Sequence, residues 1–321
     1  MHYWYNNYGD DMNIKKLIKI AITVIIIVIL FLLVKDNYYL ITNKIEYLYA
    51  KYIGPDIRQT LTDNEYRKKE NYEYVKIDTD TTIKSKNEAK NMLYTFLDAG
   101  WQEYMVKCDP DYLTCVDDIK QMVQNNTYLT DLGNYVHPFN TFESVNTTFT
   151  SSGKVTLKKE NRYSDEQIEE LNKKVEQIFS ENYDKSKNIR ENIKIFHDYI
   201  INHTKYDTNN TTGVSDINSS TAYGVLFEGV GICSGYTDAM QLFLEKLNVK
   251  NYRISSSTHI WNLVYVEGKW LHLDLTWDDP IMSDGSDALE DDYFLIDTNT
   301  LLSKEDNEHN FDENIYIEAK K

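Results

Sequence analysis

One cysteine of this sequence stands where a protein can activate a sulfur nucleophile. Cys233 follows Gly229 and Gly231, which break regular secondary structure and allow tight turns. After it, apolar residues recur at helical spacing, namely Tyr236, Met240, Phe243, Leu244 and Leu247. The pattern predicts Cys233 in the first turn of a buried helix, where unpaired N–H groups and the helix dipole stabilise a thiolate. A small cysteine that only packs the helix start is the alternative, and this segment does not decide between them.

A predicted hairpin follows and brings a histidine near a carboxylate. The segment STHIWNLVYVEGKWLHLDLTWDDP predicts strands near 259–266 and 269–276, joined by a two-residue turn at Glu267 and Gly268. In that register His259 and Asp274 are diagonal neighbours on one face, about 7–8 Å apart in backbone. A base oriented by a carboxylate is what a nucleophile–base–acid triad requires.

His272 is a rival base, because it lies two residues before Asp274 and shares its face. A slip of one residue in the register would separate His259 from Asp274 altogether. The position of His259 at the start of its strand, near the rim of the sheet, favours it over the mid-strand His272. His197, alone on another predicted helix, is more simply a structural histidine.

These residues resemble a known family. The segments CSGYTDAMQLFLEKL, HIWNLV and GKWLHLDLTWDDP are similar to the transglutaminase-like (papain-like fold) superfamily, especially its bacterial members. With FHDYIINHTKYD upstream and DDYFLIDTN downstream, the resemblance covers roughly 186–310. It implies that Cys233 is the nucleophile, His259 the general base and acid, and Asp274 the orienting carboxylate. It also puts His272 at a non-catalytic position.

Several neighbours of these residues match the flanks that are common in the family and are candidates for a supporting role: Gly235, Tyr236, Trp261, Trp277 and Asp278. Tyr223, which precedes the cysteine helix, is a further candidate, although a packed core tyrosine is the simpler interpretation. No side chain is assigned to an oxyanion hole from the sequence.

The N-terminus predicts a membrane anchor. Leu17–Val34 contains one charged residue, Lys19, and is long enough to span a bilayer. A cleaved signal peptide is the alternative, but no small-residue cleavage site follows the apolar stretch. Lys15 and Lys16 precede the span and only Lys35 follows closely, so the N-terminus is predicted in the cytoplasm and the rest outside.

The cysteine count fits an exported chain. Cys108 and Cys115 are separated by six residues, and either a local disulfide or two buried thiols is compatible with that spacing. Cys233 is then the odd cysteine and a candidate reactive thiol. The sequence has no CxxC or HExxH motif, and the acidic run 283–292 does not fit an EF-hand. We therefore expect no metal and no cofactor.

Composition limits the class of partner and the fold. The net charge of −17 argues against nucleic-acid binding, and the scarcity of Gly and Pro argues against long disordered linkers.

Local patterns predict both helices and strands. Ser164 with Gln167 forms a capping-box pattern that starts one predicted helix, and a second helix is predicted from about 186 to 201. Residues 141–160 predict two strands around a turn. These elements predict the fold class α+β. The resemblance implies a papain-like, transglutaminase-like core, which follows a small α+β domain and a transmembrane helix.

The predicted organisation is a cytoplasmic N-terminus, an anchor, a juxtamembrane stalk, a small α+β domain and a transglutaminase-like domain, over 1–13, 14–35, 36–78, 79–160 and 161–321. We expect a membrane-anchored extracytoplasmic cysteine enzyme that acts on amide bonds of peptides or proteins, by cross-linking or by hydrolysis. Cell-wall peptides or surface proteins are the expected substrates, a hypothesis that rests on topology alone. The alternative is a catalytically inactive domain of the same fold that serves as a cell-surface interaction module.

Overall fold

The structure of the protein is a computed structural model. It describes residues 8–36, 57–150, 152–208, 218–280 and 289–321, together with isolated positions between 42 and 53. The chain divides into two compact units, Met1–Asp56 with Thr150–Gly153, and Ile57–Phe149 with Lys154–Lys321. The predicted acidic loop over 283–292 lies largely outside the described residues.

The smaller unit contains one long apolar helix, α1 (Tyr8–Asp36). Its stretch Lys16–Lys35 is long and apolar enough to cross a membrane, and the side chains of that stretch are exposed. Inside a bilayer a helix satisfies all its backbone hydrogen bonds while its apolar side chains face lipid. The predicted span 17–34 lies within this stretch, whose length and composition are also those of a signal sequence. Its role as an uncleaved anchor therefore stays a prediction.

The larger unit is α+β, as predicted. Its helices, in chain order, are α2 (Lys86–Asp98), α3 (Cys115–Gln124), α4 (Asn126–Gly133), α5 (Asp165–Asn182), α6 (Ile189–His203), α7 (Cys233–Lys246) and α8 (Thr298–Leu302). Its strands are β1 (Thr82–Ile83), β2 (Glu103–Cys108), β3 (Phe142–Phe149), β4 (Lys154–Asn161), β5 (Lys205–Tyr206), β6 (Val230–Gly231), β7 (Asn251–Ser255), β8 (Ile260–Val266) and β9 (Lys269–Leu273). They form three sheets, ordered β1-β2-β4-β3, β5-β6 and β7-β8-β9.

Two hydrophobic clusters hold this unit together. The first joins the four-stranded sheet and α2 to one face of the β7-β8-β9 sheet, through residues such as Tyr104, Tyr252 and Trp270. The second packs α5, α6 and α7 together, with the rings of Phe196 and Phe243 stacked at 4.7 Å. The domain boundary that the sequence predicts between 160 and 161 falls inside this unit, and it stays a prediction.

Part of the segment assigned to a stalk belongs to the compact unit. Residues 57–78 contain no helix and no strand. Nevertheless Tyr72 and Val75 are buried, and the Tyr72 ring lies 5.0 Å from that of Tyr252. Aromatic side chains can thus join a core without regular secondary structure around them.

The local signals of the sequence account for the helices and strands that carry the candidate site. The Ser164–Gln167 capping box is present at the start of α5. The helix predicted from about 186 starts at Ile189, because Asn188 caps it in a second capping box with Glu191. In the hairpin of β8 and β9, Leu263 lies opposite His272, which is the predicted register.

Candidate active site

Cys233 is the first residue of α7 and is half-buried. The preceding strand β6 pairs in parallel with β5, which places Gly231 opposite Tyr206. The capping residue Ile232 makes no side-chain hydrogen bond to the first turn of α7. The backbone N–H groups of that turn are therefore not covered by an N-cap side chain. The sulfur therefore lies at the positive end of the helix dipole.

Gly235 allows this helix start to pack tightly. A Cβ at this position would lie 2.5 Å from the Ser219 carbonyl oxygen and 3.0 Å from that of Thr221. The Ile232 N–H donates to the same Ser219 carbonyl at 2.8 Å. The segment before α7 thus contacts the helix start directly, and the supporting role predicted for Gly235 corresponds to a close backbone approach.

His259 and Asp274 form a buried pair beside this helix start. His259 Nε2 lies 2.5 Å from Asp274 Oδ2, and both side chains are almost inaccessible to solvent. The Ser256 hydroxyl accepts the His259 N–H at 3.1 Å, which fixes the turn that leads into β8. The imidazole stacks on the Trp261 ring at 5.6 Å. Since Nε2 is bound to Asp274, Nδ1 is the nitrogen that can exchange a proton with Cys233.

The electrostatics of the pair favour an imidazolium. Burial by itself lowers the pKa of His259, but the charge and hydrogen bond of Asp274, with the nearby Cys233 sulfur, raise that pKa to about 10. Burial acts to raise the pKa of Asp274, yet His259 and a second histidine, His309, hold it well below its usual range. At neutral pH the arrangement therefore supports a carboxylate next to a positively charged imidazole.

The loop after β9 holds Asp274 in place. Asp274 Oδ1 accepts the backbone N–H groups of Thr276 at 2.9 Å and Trp277 at 3.4 Å. Asp278 Oδ2 lies 3.0 Å from His197 Nε2 on α6, and Asp279 Oδ2 accepts the Tyr236 hydroxyl of α7 at 2.6 Å. The loop is thereby tied to two helices, which gives Tyr236 and His197 structural tasks.

The rival base His272 has a structural environment. Its Nδ1 accepts the indole N–H of Trp261 at 2.9 Å, and its Nε2 lies 3.0 Å from the Thr298 hydroxyl. Burial lowers the pKa of His272 to about 3, so the ring is neutral. His272 thus positions Trp261, on which His259 stacks.

Tyr223, a candidate for a supporting role, contacts α5, and that role stays a prediction. Its hydroxyl donates to Glu170 on α5 at 2.8 Å, and its ring stacks on Phe227. The tyrosine beside the sulfur is Tyr206 instead: burial raises its pKa, and the nearby Cys233 raises it further. The pairing of β5 with β6 brings Tyr206 there, and no motif in the sequence marks that pairing.

His309 is a further residue of the candidate site that no sequence motif marks. Its Nε2 lies 2.9 Å from Asp274 Oδ2, and its Nδ1 lies 2.8 Å from Asp306 Oδ1. The ring of Trp277, predicted as a supporting residue, contacts that of His309 at 5.1 Å. His309 lies in an irregular segment far from Asp274 in sequence, so no strand or helix period connects the two.

Of the two alternatives that the sequence left open for Cys108 and Cys115, the structure has the disulfide, with Cα atoms 5.9 Å apart. It leaves Cys233 as the free cysteine of the chain. Within the described ranges, one group has ligand atoms that converge as a metal site requires, His259, Asp274 and His309, within 4.8 Å of one another. Because both imidazoles already share one oxygen of Asp274, hydrogen bonds account for the cluster, and we assign no metal to it.

About a third of the chain is similar to a known superfamily. Residues 173–275 match the family model of the transglutaminase-like superfamily, a range that includes Cys233, His259 and Asp274. A solved TGase is similar over 42% of this chain and 44% of its own, with 15% identity and a TM-score of 0.33. A candidate cysteine protease from Cytophaga hutchinsonii is similar over 42% of this chain and 62% of its own, with 14% identity and a TM-score of 0.27. The chain thus spans less than two thirds of the length of either. No curated protein matches the chain.

Proposed function

Because the chain carries a transglutaminase-like domain over residues 173–275, we propose that it is a cysteine enzyme that transfers acyl groups from amide bonds of peptides or proteins. Cys233 is the nucleophile, His259 the base and acid, and Asp274 the carboxylate that orients His259. The observation that carries the proposal is the buried His259–Asp274 pair, with the free Cys233 beside it at the start of α7.

The reaction follows from this arrangement. The Cys233 thiolate attacks the amide carbon, and the C=O bond opens to a tetrahedral oxyanion. The imidazolium of His259 gives its proton to the amide nitrogen, the C–N bond breaks, and an amine leaves behind a thioester on Cys233. A second amine or a water molecule then attacks the thioester, His259 accepts its proton, and the thiolate is restored. An amine acceptor gives cross-linking, and water gives hydrolysis.

Backbone groups at the start of α7 are suited to stabilise the oxyanion. The first-turn N–H groups lie next to the sulfur and are not covered by a side-chain cap. Such donors stabilise the charge that develops on the carbonyl oxygen during attack. Tyr206, whose pKa responds to Cys233, is the nearby side chain that can add a hydroxyl donor.

The proposed location is outside the cell, with α1 as an uncleaved anchor and the N-terminus in the cytoplasm. Lys15 and Lys16 before the span, together with Lys19 near its start, support this orientation. The Cys108–Cys115 disulfide is also typical of an oxidising compartment. Cell-wall peptides and surface proteins are then the amides within reach of the site.

A catalytically inactive interaction module is the second candidate, since a fold can persist without its activity. The two candidates differ in the chemistry of Cys233. An active site requires a thiolate paired with an imidazolium at neutral pH, whereas a module requires neither.

The test is the pH dependence of Cys233 alkylation by iodoacetamide, on the full chain in detergent micelles. The disulfide leaves one thiol to react. A free thiol has a pKa of about 8.5, and we expect the alkylation rate of Cys233 to reach half its maximum well below that pH. In His259→Ala the midpoint should return towards the value of a free thiol. Incorporation of a labelled primary amine into a glutamine peptide, compared with hydrolysis of the same peptide, then distinguishes cross-linking from hydrolysis. A wild-type profile of an ordinary thiol, unchanged in His259→Ala, would favour the inactive module.

A further inference from the structure

Asp274 has two imidazole partners, and they meet at one oxygen. Oδ2 lies 2.5 Å from His259 Nε2 and 2.9 Å from His309 Nε2. A carboxylate oxygen only accepts hydrogen bonds, so both nitrogens carry protons. The carboxylate that orients His259 is therefore itself oriented from its other side by His309.

The second nitrogen of His309 also faces a carboxylate. Its Nδ1 lies 2.8 Å from Asp306 Oδ1, which additionally accepts the backbone N–H groups of Glu308 at 3.0 Å and His309 at 2.9 Å. A neutral imidazole has one N–H, so hydrogen bonds to Asp306 and Asp274 together require the doubly protonated ring. The geometry is that of a cation between two anions.

The remaining surroundings of His309 are mostly aromatic. Its side chain is 2% exposed, its ring stacks on that of Tyr293 at 5.1 Å, and it meets the ring of Trp261 edge to face at 4.8 Å. Aromatic faces tolerate a cation well. The other titratable groups that face it are His259, with ring centroids 5.3 Å apart, and the neutral His272, on which its charge acts.

We propose that His309 is a positioning residue, protonated on both ring nitrogens between Asp306 and Asp274. His309 fixes the orientation of Asp274, and its positive charge offsets part of the negative charge that Asp274 presents to His259. The inference rests on the proposed function, because it concerns the same triad. His309 lies at the imidazolium end of the Cys233–His259 pair, so its charge opposes the pull of Asp274 on the His259 proton. That proton must leave for the amine during acyl transfer, and a fully unbalanced Asp274 would retain it more strongly.

The test compares the pH profile of Cys233 alkylation in the full-length chain, in detergent, between wild type and two variants. His309→Gln can keep a donor to Asp274 but removes the charge, while Asp306→Asn keeps every heavy-atom position and removes the anion that holds His309 protonated. Both variants remove a positive charge near the Cys233–His259 pair, and the loss of a nearby cation raises the pKa of a thiol and of an imidazolium alike. We expect the half-maximal rate to move to higher pH, by about one unit in His309→Gln and by less in Asp306→Asn, which also removes an anion. Tyr293→Phe keeps the stacked ring and is the matched control, with an unchanged profile.

The outcomes separate this inference from the proposed function. Profiles of both variants that coincide with wild type, or that move to lower pH, would overturn the charge-balancing role, while a wild-type profile that still depends on His259 would leave the function standing. A wild-type profile that does not depend on His259 would remove the function, and the inference with it. If His309→Gln does not fold, Asp306→Asn carries the same test, because the imidazole remains in place.

Discussion

The two oxygens of Asp274 have different partners, and this division explains how one carboxylate serves the site. Oδ1 is held by the backbone of its own loop, through Thr276 and Trp277, while Oδ2 faces the two imidazoles. The carboxylate therefore does not need a bound substrate to adopt its orientation. The Asp274 carboxylate attracts the His259 imidazolium over a short distance. Both groups are buried, and electrostatic interactions are stronger there than in water.

Replacing Asp274 tests this dependence at the residue scale. In Asp274→Asn the charge that raises the pKa of His259 is lost, and an amide cannot accept from both imidazoles at one nitrogen. We expect the alkylation rate of Cys233 near pH 6.5 to fall at least about tenfold, since the imidazolium no longer forms there. Asp279→Asn, which removes a neighbouring buried carboxylate bound to Tyr236, is the matched control. Equal losses in both variants would contradict a specific role for Asp274.

The raised pKa of His259 also makes a prediction about stability. A histidine whose pKa is about 10 when folded and about 6.5 when unfolded binds its proton more tightly in the folded chain. Its contribution is complete below about pH 6.5 and is lost as the pH rises towards about 10. The difference in urea midpoint between wild type and His259→Gln should therefore shrink across this range. A difference that stays constant from pH 6.5 to 10 would show that the ion pair does not form.

What the sequence could predict at this scale depended on local rules. His259 and Asp274 were brought together correctly because a two-residue turn and a period of two fix the hairpin register. His309 obeys no such rule, since it reaches Asp274 from an irregular segment. Tyr206 was missed for the same reason, because the pairing of β5 with β6 is short and long-range.

At the scale of elements, the start of α7 depends on the irregular chain before it. Gly229 has a φ of 66°, in the left-handed region that glycine adopts without strain, and it ends the π turn Gly224–Glu228. The chain then forms β6 and enters α7 at Cys233. Helix α7 itself was predictable from its apolar spacing, as was the capping box of α5. The π turn was not, because its hydrogen-bond pattern has no sequence signature that differs from an α-helical turn.

Gly235→Ala tests whether this packing positions the nucleophile. The new Cβ would lie 2.5 Å from the Ser219 carbonyl oxygen, which belongs to backbone and cannot rotate away. We expect a destabilisation of about 1–3 kcal/mol, the usual cost of overpacking, and slower alkylation of Cys233 because the helix start must shift. Urea unfolding and alkylation at one pH measure the two effects. Gly268→Ala is the control for glycine loss away from the site, since no heavy atom lies within 4 Å of its added Cβ. Its positive φ of 80° makes some strain expected there as well, so the informative comparison is the alkylation rate, which only Gly235→Ala should lower.

At the scale of the whole molecule, the candidate site is supported by residues far outside the matched family range. Tyr72 from the segment assigned to a stalk, and Tyr316 near the C-terminus, each lie within 6.4 Å of the Tyr252 ring on β7. No periodicity in the sequence links such distant segments. The extension of the compact unit towards the N-terminus could therefore not be predicted from composition. The apolar N-terminal helix was predictable, because hydropathy over about 20 residues is a local property of the sequence.

The last prediction concerns α1 and the side of the membrane on which Cys233 lies. If residues 14–35 form an uncleaved anchor, the full chain should remain in membranes after alkaline carbonate extraction, and its intact mass should include the N-terminus. A chain that begins at residue 36 and is made without an export signal should be extracted with soluble proteins. With the N-terminus in the cytoplasm, a membrane-impermeant maleimide added to intact cells should label Cys233, whereas in Cys233→Ser the label should be lost because the remaining cysteines form a disulfide.

Each result separates the anchor from its alternatives. A mature protein that lacks the apolar stretch would identify a cleaved signal peptide, and carbonate-soluble full-length chain would exclude a spanning helix. Labelling of Cys233 only after the cells are opened would place the site in the cytoplasm and reverse the orientation that Lys15, Lys16 and Lys19 predict. In that case cell-wall and surface amides would be out of reach of Cys233, and the substrate class would have to be sought among cytoplasmic peptides.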